Sequence, residues 1–396
     1  MIAVIADDFT GAAEIGGIGL KKGLNVLIET TVNEPENVDL LVIATDSRSR
    51  TKEQAKREIE KITRQLIKLT PSFIYKKLDS VLRGNVYDEL KMQMLVSGKS
   101  RAIIVAGNPH LKRTIDNGIY YINQVPLAKT SFANDPEFPS TSSSVIKIVN
   151  SHDKDVFSLN VTDLLPEEGI VIGNVRDKSE MQRWAAKTDT NTIYAGGAGF
   201  FEVILEKYFH SKSIKNEQKY LTGTTSLFIF GSTFPKKEDM LDRFSRANIP
   251  VMNMPAEIYQ HKDSSPGRLK KWAEEISTRL KDEKTVVITI NHKPGKEKSL
   301  PEMIRQIIGR LMKEITDLIK IDNLLIEGGA TTSVILENLS ITKLCPVREI
   351  EAGVIQMETT DFPGMTITTK PGSYPWPDCL ILSENKKDNN YTKTIQ

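Results

Sequence analysis

Residues 76–85 read Lys-Lys-Leu-Asp-Ser-Val-Leu-Arg-Gly-Asn, so Lys76, Lys77, Asp79, Ser80 and Arg83 fall within eight positions. That mixture suits chemistry on an anion. Arginine meets a carboxylate with two parallel N–H bonds, lysine adds a compact charge, and aspartate can take a proton. Cations this close repel unless an anion or water lies among them. A solvated charged loop would need no ligand, so one cluster alone does not decide. Comparable polar groups occur at Asp7-Asp8, Asp46-Ser47-Arg48 and Asn108. One member of the Asp7-Asp8 pair can N-cap a following helix. The other is then expected to stay free as a base or a metal-bound carboxylate.

A second kind of candidate is backbone rather than side chain. Glycine turns occur at Gly231-Ser232-Thr233 and Gly328-Gly329-Ala330-Thr331. Glycine allows close approach, and a helix N-terminus attracts phosphate through free N–H groups and the dipole. An ordinary strand-to-helix turn would look the same. Neither G-x-x-x-x-G-K-[ST] nor G-x-G-x-x-G after a strand is present, so any nucleotide site is of neither kind. The five histidines show no metal-ligand spacing. His110, beside Asn108-Pro109, is expected at the surface or in a structural role. Trp184 and Trp272 fall on helical patterns and read as packing residues, and the run 293–298 reads as a solvated loop.

The elements that must position these groups follow from apolar periodicity. Strands are predicted at 2–6, 26–28, 40–44, 73–75, 102–105, 169–175 and 192–195. Helices are predicted from 10, at 52–69, from 86, at 179–187 and through 209. The polar clusters follow four of these strands, and a parallel sheet brings such ends to one edge. Between 108 and 144 Pro109, Pro126, Pro136 and Pro139 break the pattern, which reads as an irregular excursion. The second half gives strands at 227–230, 251, 286–290 and 324–326, with helices at 236–247, 268–281, 301–319 and 332–339. Shorter β-like segments follow at 344–350, 365–369 and 379–382. The expected fold is α/β with two domains, each a mostly parallel sheet flanked by helices, and the site in the cleft between them. The boundaries are 1–210, a polar linker 211–225, 226–382 and a polar tail 383–396.

Length supports two domains, since 396 residues exceed one ordinary core. A formal charge of +2 from 53 basic and 51 acidic residues gives no general field for nucleic acid or membrane. Cys345 and Cys379 are far apart, so no disulfide framework is expected and a cytoplasmic location is. The start, Met1 to Asp8, lacks a basic n-region, and no apolar run reaches membrane-span length.

With these residues in view, the chain resembles the four-carbon acid sugar kinase family over nearly its whole length. Ala6-Asp7-Asp8-Phe9-Thr10-Gly11-Ala12 is similar to that family's opening, and Asp46-Ser47-Arg48 to a short later element. Lys76 to Asn85 is similar to its most specific signature. Thr130, Phe132, Asp135 and Pro136 follow its middle segment, and Tyr194 to Gly199 the end of its first domain. Gly328-Gly329-Ala330-Thr331 and Lys370-Pro371-Gly372 follow its late elements. The resemblance implies an ATP- and Mg2+-dependent kinase that phosphorylates the terminal hydroxyl of threonate, erythronate or a 3-oxo-tetronate. It implies Asp8 or Asp79 as the proton acceptor, and Asp7, Arg48, Lys76, Lys77, Ser80, Arg83 and Gly84 around the sugar acid. Ser232, Gly328, Gly329, Ala330, Thr331 and Gly372 would hold the nucleotide. A homodimer is left open. Departures cluster in the nucleotide half: Phe234 and Pro235 after Ser232, and Pro375 where a glycine is usual. Lys112-Arg113 stands where the family has Gly-Arg. The alternative expectation is a non-catalytic or weakly active protein that binds or senses a sugar acid and has lost nucleotide binding.

Overall fold

Strands that are apolar throughout need cover on both faces, and the computed structural model of the chain supplies it with helices. It describes residues 1–135, 138–149, 154–187, 189–209, 224–231, 237–259, 266–290, 300–372 and 374–381. Pro136, Ser232, Thr233, Phe234, Pro235, His152, His210, His261 and His292 lie outside these residues. So do linker residues 211–223, the run 293–298 and the tail 383–396. The chain divides into two compact units, Met1–Ile214 with Thr342–Pro346, and Lys215–Ile341 with Val347–Gln396.

The first unit runs β1 (Ile2–Ala6), α1 (Phe9–Lys21), β2 (Val26–Glu29), β3 (Leu40–Ala44), α2 (Lys52–Lys68), β4 (Ile74–Lys77), α3 (Val86–Ser97) and β5 (Arg101–Val105). It continues with β6 (Arg113–Asp116), β7 (Ile119–Ile122), β8 (Val125–Pro126), α4 (Val145–Ile148), β9 (Val156–Leu159), β10 (Gly169–Gly173), α5 (Lys178–Ala186), β11 (Thr192–Gly196) and α6 (Ala198–Glu206). Its main sheet is ordered β2-β3-β1-β4-β11-β5-β10-β9 and is parallel. Ala3, Ile5, Leu41 and Ile43 pack on Ile59, Ile62 and Leu66 of α2. Leu78, Val81 and Leu82 join Val86, Leu90 and Met94 of α3 and Ala102 and Ile104 of β5 in another cluster. The charged stretch after β4 is therefore pinned from below by its own apolar residues.

The second unit holds β12 (Ser226–Phe230), α7 (Lys237–Arg246), β13 (Val251–Asn253), α8 (Ala256–Tyr259), α9 (Pro266–Glu283), β14 (Thr285–Thr289), α10 (Leu300–Leu318), β15 (Asn323–Glu327) and α11 (Gly329–Asn338). Then come β16 (Lys343–Glu351), β17 (Val354–Glu358), β18 (Thr366–Lys370) and α12 (Asp378–Ile381). Strands β13-β14-β12-β15-β18 are parallel, and β17 adds antiparallel to β18. Strand β16 is shared by sequence: Lys343 and Leu344 pair with Glu29 and Ile28 of β2.

Three expectations change. The stretch 108–144 is not irregular throughout, for β6, β7 and β8 form an antiparallel sheet of three strands. Asn117 and Gly118 turn the first hairpin with φ of 48° and 74°, as an Asn-Gly pair readily does. Residues 379–381 are not β-like, and 382 lies outside the described residues: Asp378–Ile381 is a helical turn, with Pro377 before it and Asp378 in its first turn. Strands β9 and β17 and helix α8 were not foreseen, being short and without clear periodicity. Trp184 and Trp272 are buried packing residues, as expected.

Candidate functional site

The order of the main sheet explains why the polar clusters meet. From β1 the chain moves to β2 and β3 on one side, then crosses back past β1 to β4 on the other. That reversal opens a crevice at the carboxyl ends of β1 and β4, the position where open α/β sheets take ligands. Asp7 and Asp8 follow β1, Arg48 follows β3, and Lys77 to Gly84 end and follow β4.

Asp8 has the extended backbone of an N-cap, accepting from Gly11 N at 2.9 Å and from Thr10 Oγ1 at 2.6 Å. Asp7, expected to remain free if its neighbour capped the helix, is instead held by the fork of Arg48, with Nε and Nη2 each 2.9 Å from its oxygens. Arg48 Nη1 also reaches Asp8 at 3.1 Å and lies 3.6 Å from Asp79. A Cβ at Gly11 would fall 2.7 Å from Asp8 Oδ1 and 2.9 Å from Lys77 Nζ, so its absence makes room for the amine beside the carboxylate. Burial works to raise the Asp8 pKa. Arg48, Lys77 and the bonds from Thr10 and Gly11 outweigh it and hold the group below its ordinary value.

Asp79 organises the loop that follows β4. It accepts from Val81 N at 3.1 Å and Arg83 N at 3.2 Å, and pairs with the Arg83 fork at 2.7 and 2.9 Å. Burial pushes its pKa up, but Arg83 and Arg48 pull it far below the carboxylate range. Arg83 also donates to Asp135 at 2.7 Å. Gly84, at φ 92°, would place a Cβ 2.9 Å from Arg48 Cγ, so a side chain there would displace the arginine. Asn85 ties the loop to Ser47 O at 3.1 Å and Arg50 O at 2.9 Å.

Lys76 does not join this group. Side chains alternate along a strand. Lys76 therefore turns to the other face of the sheet, with Nζ 2.6 Å from Glu89 Oε2 of α3 and both side chains at most 1% exposed. Its expected place around a substrate is corrected to a buried structural ion pair. Ser80 stays at the site and accepts from Arg113 Nη1, while its carbonyl accepts from the Tyr120 hydroxyl at 2.6 Å.

Arg113, Tyr120, Phe132 and Asp135 were not singled out as site residues. The guanidinium carbons of Arg83 and Arg113 lie 5.4 and 5.9 Å from the Phe132 ring centroid. The Asn117-Gly118 hairpin signal just after Arg113 would have revealed the sheet that carries it.

In the second unit the chain leaves β12 for β13 and β14 on one side, then crosses to β15 on the other. The reversal places the ends of β12 and β15 side by side. Gly231 packs there so closely on Thr331 that a Cβ would fall 2.1 Å from Thr331 Oγ1. Gly328 sits at φ 95°, donates to Lys370 O at 2.9 Å, and precedes the ten-residue helix α11, whose first residues are Gly329, Ala330 and Thr331. A Cβ at Gly328 would meet nothing nearer than 3.9 Å, so its backbone is open to approach. Lys370 Nζ lies 2.6 Å from Glu327 Oε2, 3.2 Å from Pro371 O and 5.2 Å from the Trp376 ring centroid. Burial lowers its pKa against the opposing pull of Glu327. Gly372 follows in the turn after β18, and Ser232 lies outside the described residues.

Among the described residues no group of three or more His, Cys, Asp or Glu side chains is arranged to hold a metal ion, and no helix is long and apolar enough to cross a membrane.

Residues 2–204 match the model of a sugar-binding N-terminal domain and residues 227–374 that of a nucleotide-binding C-terminal domain. The chain is 37% identical over 149 residues to a D-threonate kinase of Salmonella typhimurium, an alignment covering 37% of this chain and 35% of that protein. It is 31% identical over 159 residues to a D-erythronate kinase of Heliobacterium modesticaldum, covering 39% and 36%. These two alignments span about a third of each relative. A 3-oxo-tetronate kinase of Haemophilus influenzae aligns over 89% of this chain and 92% of its own length at 20% identity. Two solved structures share the fold. A Salmonella typhimurium chain superposes at TM-score 0.76 with 17% identity, covering 97% of this chain and 98% of its own. A Haemophilus influenzae chain does so at 0.69 with 18% identity, covering 96% and 98%.

Proposed function

The chain belongs to the four-carbon acid sugar kinase family, and from that premise we propose that it transfers the γ-phosphoryl group of ATP to the terminal hydroxyl of threonate, erythronate or a 3-oxo-tetronate. The observation that carries this reading is that each unit has its own sheet reversal. One is lined by ionised side chains, the other by an open glycine backbone at a helix N-terminus.

In this reaction the acceptor oxygen attacks the γ-phosphorus, the bond to the β-phosphate oxygen breaks, ADP leaves, and the hydroxyl proton goes to a carboxylate. Both carboxylates already accept from several donors, and Asp8 is the acceptor we favour because the Lys77 ammonium stands beside it, whereas Asp79 is locked by the whole Arg83 fork and two loop amides. A depressed pKa suits Asp8, because the hydroxyl loses its proton late in a loose transition state and orientation matters more than basicity. Lys77, beside Asp8, neutralises charge that develops on the acceptor. Arg48 keeps Asp7 and Asp8 in register.

The amides of Gly329, Ala330 and Thr331 would receive the nucleotide phosphates, with the Lys370 ammonium as counter-charge and Gly328 leaving room. Mg2+ would arrive on the phosphates with most of its waters, which needs few protein ligands. Transfer requires the two bound substrates to meet, and domain closure that excludes water is the step we infer.

The test is ATP consumption by the purified protein with Mg2+ across threonate, erythronate and 3-oxo-tetronate isomers. Turnover on one of them establishes the reaction. Silence on all, with no rise in melting temperature on adding ATP, rejects it in favour of a sugar-acid sensor.

A further inference from the structure

Four carboxylates and three arginines surround the loop after β4, and their pairing is unequal. Arg48 spends its fork on Asp7 and its remaining nitrogen on Asp8. Arg83 spends its fork on Asp79 and its last nitrogen on Asp135. All four carboxylates thereby have an arginine. Arg113 has no carboxylate partner among the described residues. Its polar contact there is the neutral Ser80 hydroxyl, and the Phe132 ring lies beside it. A partly buried guanidinium without a counter-charge is costly, and its unused N–H groups match an anion with planar oxygens.

We propose that Arg113, carried on β6, is the residue that receives the carboxylate of the acid substrate, and so makes the site select a sugar acid over the neutral sugar alcohol of the same length. Arg48 and Arg83, the arginines suggested by the motifs, instead position Asp7, Asp8 and Asp79. The inference rests on the kinase reading above. The parts that hold Arg113 suit the role. The Ser80 hydroxyl links it to the loop that Asp79 fixes, and the Tyr120 hydroxyl bonds to the Ser80 carbonyl at 2.6 Å. Phe132 lies beside both Arg83 and Arg113, fixing their planes without consuming N–H donors. Fork geometry alone would equally suit a phosphate, either the γ-phosphate or the one on the product, so the test must separate the two anions.

The experiment compares the wild type with Arg113→Met and Arg113→Lys on the best acid found and on the matching four-carbon alditol, which has the acceptor hydroxyl but no carboxylate. Melting curves with and without ATP check folding. The expected result for Arg113→Met is a KM for the acid raised by about 100-fold, the size of a lost charge-assisted pair. Turnover of the alditol should stay at its low wild-type level, and the ATP-induced melting shift should be unchanged. Arg113→Lys should recover part of the acid affinity, since it restores charge without the fork. An unchanged KM for the acid in Arg113→Met overturns the proposal. An equal loss on acid and alditol overturns it too, and assigns Arg113 to the phosphate or to the architecture. If the wild type turns over no acid, the kinase reading fails separately, and calorimetric binding of threonate replaces KM as the readout. Wild-type binding that Arg113→Met abolishes then supports the carboxylate site. No wild-type binding, or binding that survives the substitution, overturns it.

Discussion

The carboxyl ends of β1 and β4 are crowded with side chains that satisfy one another, whereas the ends of β12 and β15 offer backbone. In the first region a single arginine, Arg48, touches Asp7 and Asp8 after β1 and approaches Asp79 after β4, so that three turns of the chain meet at one side chain. In the second, a buried Lys370–Glu327 pair stands beside a glycine turn whose amides lead a helix. Each arises from a reversal of the same kind in its own sheet, so topology chooses the place and not the chemistry. The first region is preorganised by ion pairs to act on a small polar acceptor. The second is shaped to admit a large anionic ligand, for which close approach counts more than side-chain variety.

The difference can be broken most sharply at Asp8. Asn is a good N-cap, so Asp8→Asn should keep the fold while lowering turnover by about 10²–10⁴-fold, measured as ATP consumption beside a melting curve. Activity near the wild-type level would show that the first region only binds. Next in size is a control on the neighbouring strand β4. Lys76→Met should cost about 3–5 kcal/mol of stability by stranding Glu89, and Lys76→Met with Glu89→Leu should recover most of it in urea titrations. Failure of the double variant to recover would return Lys76 to the substrate.

Gly328→Ala tests the backbone side. At φ 95° the alanine is strained by about 1–2 kcal/mol, and nucleotide affinity should fall while binding of the sugar acid is untouched. Calorimetry with each ligand separates the two, and an equal loss of both would erase the distinction between the regions.

The smallest effect is the pH dependence, where both regions should make stability rise with pH but in different windows, acid for Asp79 and alkaline for Lys370. The folded pKa of Asp79 is depressed, so its stabilising share is complete above the unfolded value of about 3.9 and disappears as the pH falls toward its folded value. Asp79→Asn should therefore flatten the acid limb of the urea midpoint. The folded pKa of Lys370 is also depressed, but by burial. Its cost is present below that pKa and is relieved as the pH rises toward about 10.4. Lys370→Met should flatten the alkaline limb and leave the acid limb alone, and a change in the acid limb as large as that of Asp79→Asn would contradict the assignment.

Legibility followed the same division. The strand ends at Ala6, Ala44 and Val105 match the apolar runs, because buried parallel strands are apolar on both faces and stop abruptly at polar residues. The charged motifs named Asp8, Arg48, Asp79 and Arg83 correctly as neighbours. Their pairing was not legible, since which arginine takes which carboxylate depends on register between strands far apart in sequence. Lys76 and Lys77 looked equivalent as a dipeptide, and only strand alternation sends them to opposite faces. Arg113 escaped because prolines masked the short hairpin that carries it, and because its contacts with Ser80 and Phe132 join residues distant in sequence. In the second unit the glycine turn was visible but its openness was not, for that depends on the backbone angle of Gly328 and on what stands opposite.

Strand β16 has a consequence for how the protein is made. Its first residues close the outer edge of β2: Lys343 and Leu344 pair with Glu29 and Ile28, Lys343 Nζ lies 3.6 Å from the fully buried Glu29, and Pro346 packs against Gly16. A ribosome delivers β2 more than three hundred residues before this partner. During most of synthesis the sugar-binding half therefore carries a bare edge strand, open to pairing with a neighbouring nascent chain. Isolating residues 1–210 as a free-standing module would make that passing vulnerability permanent.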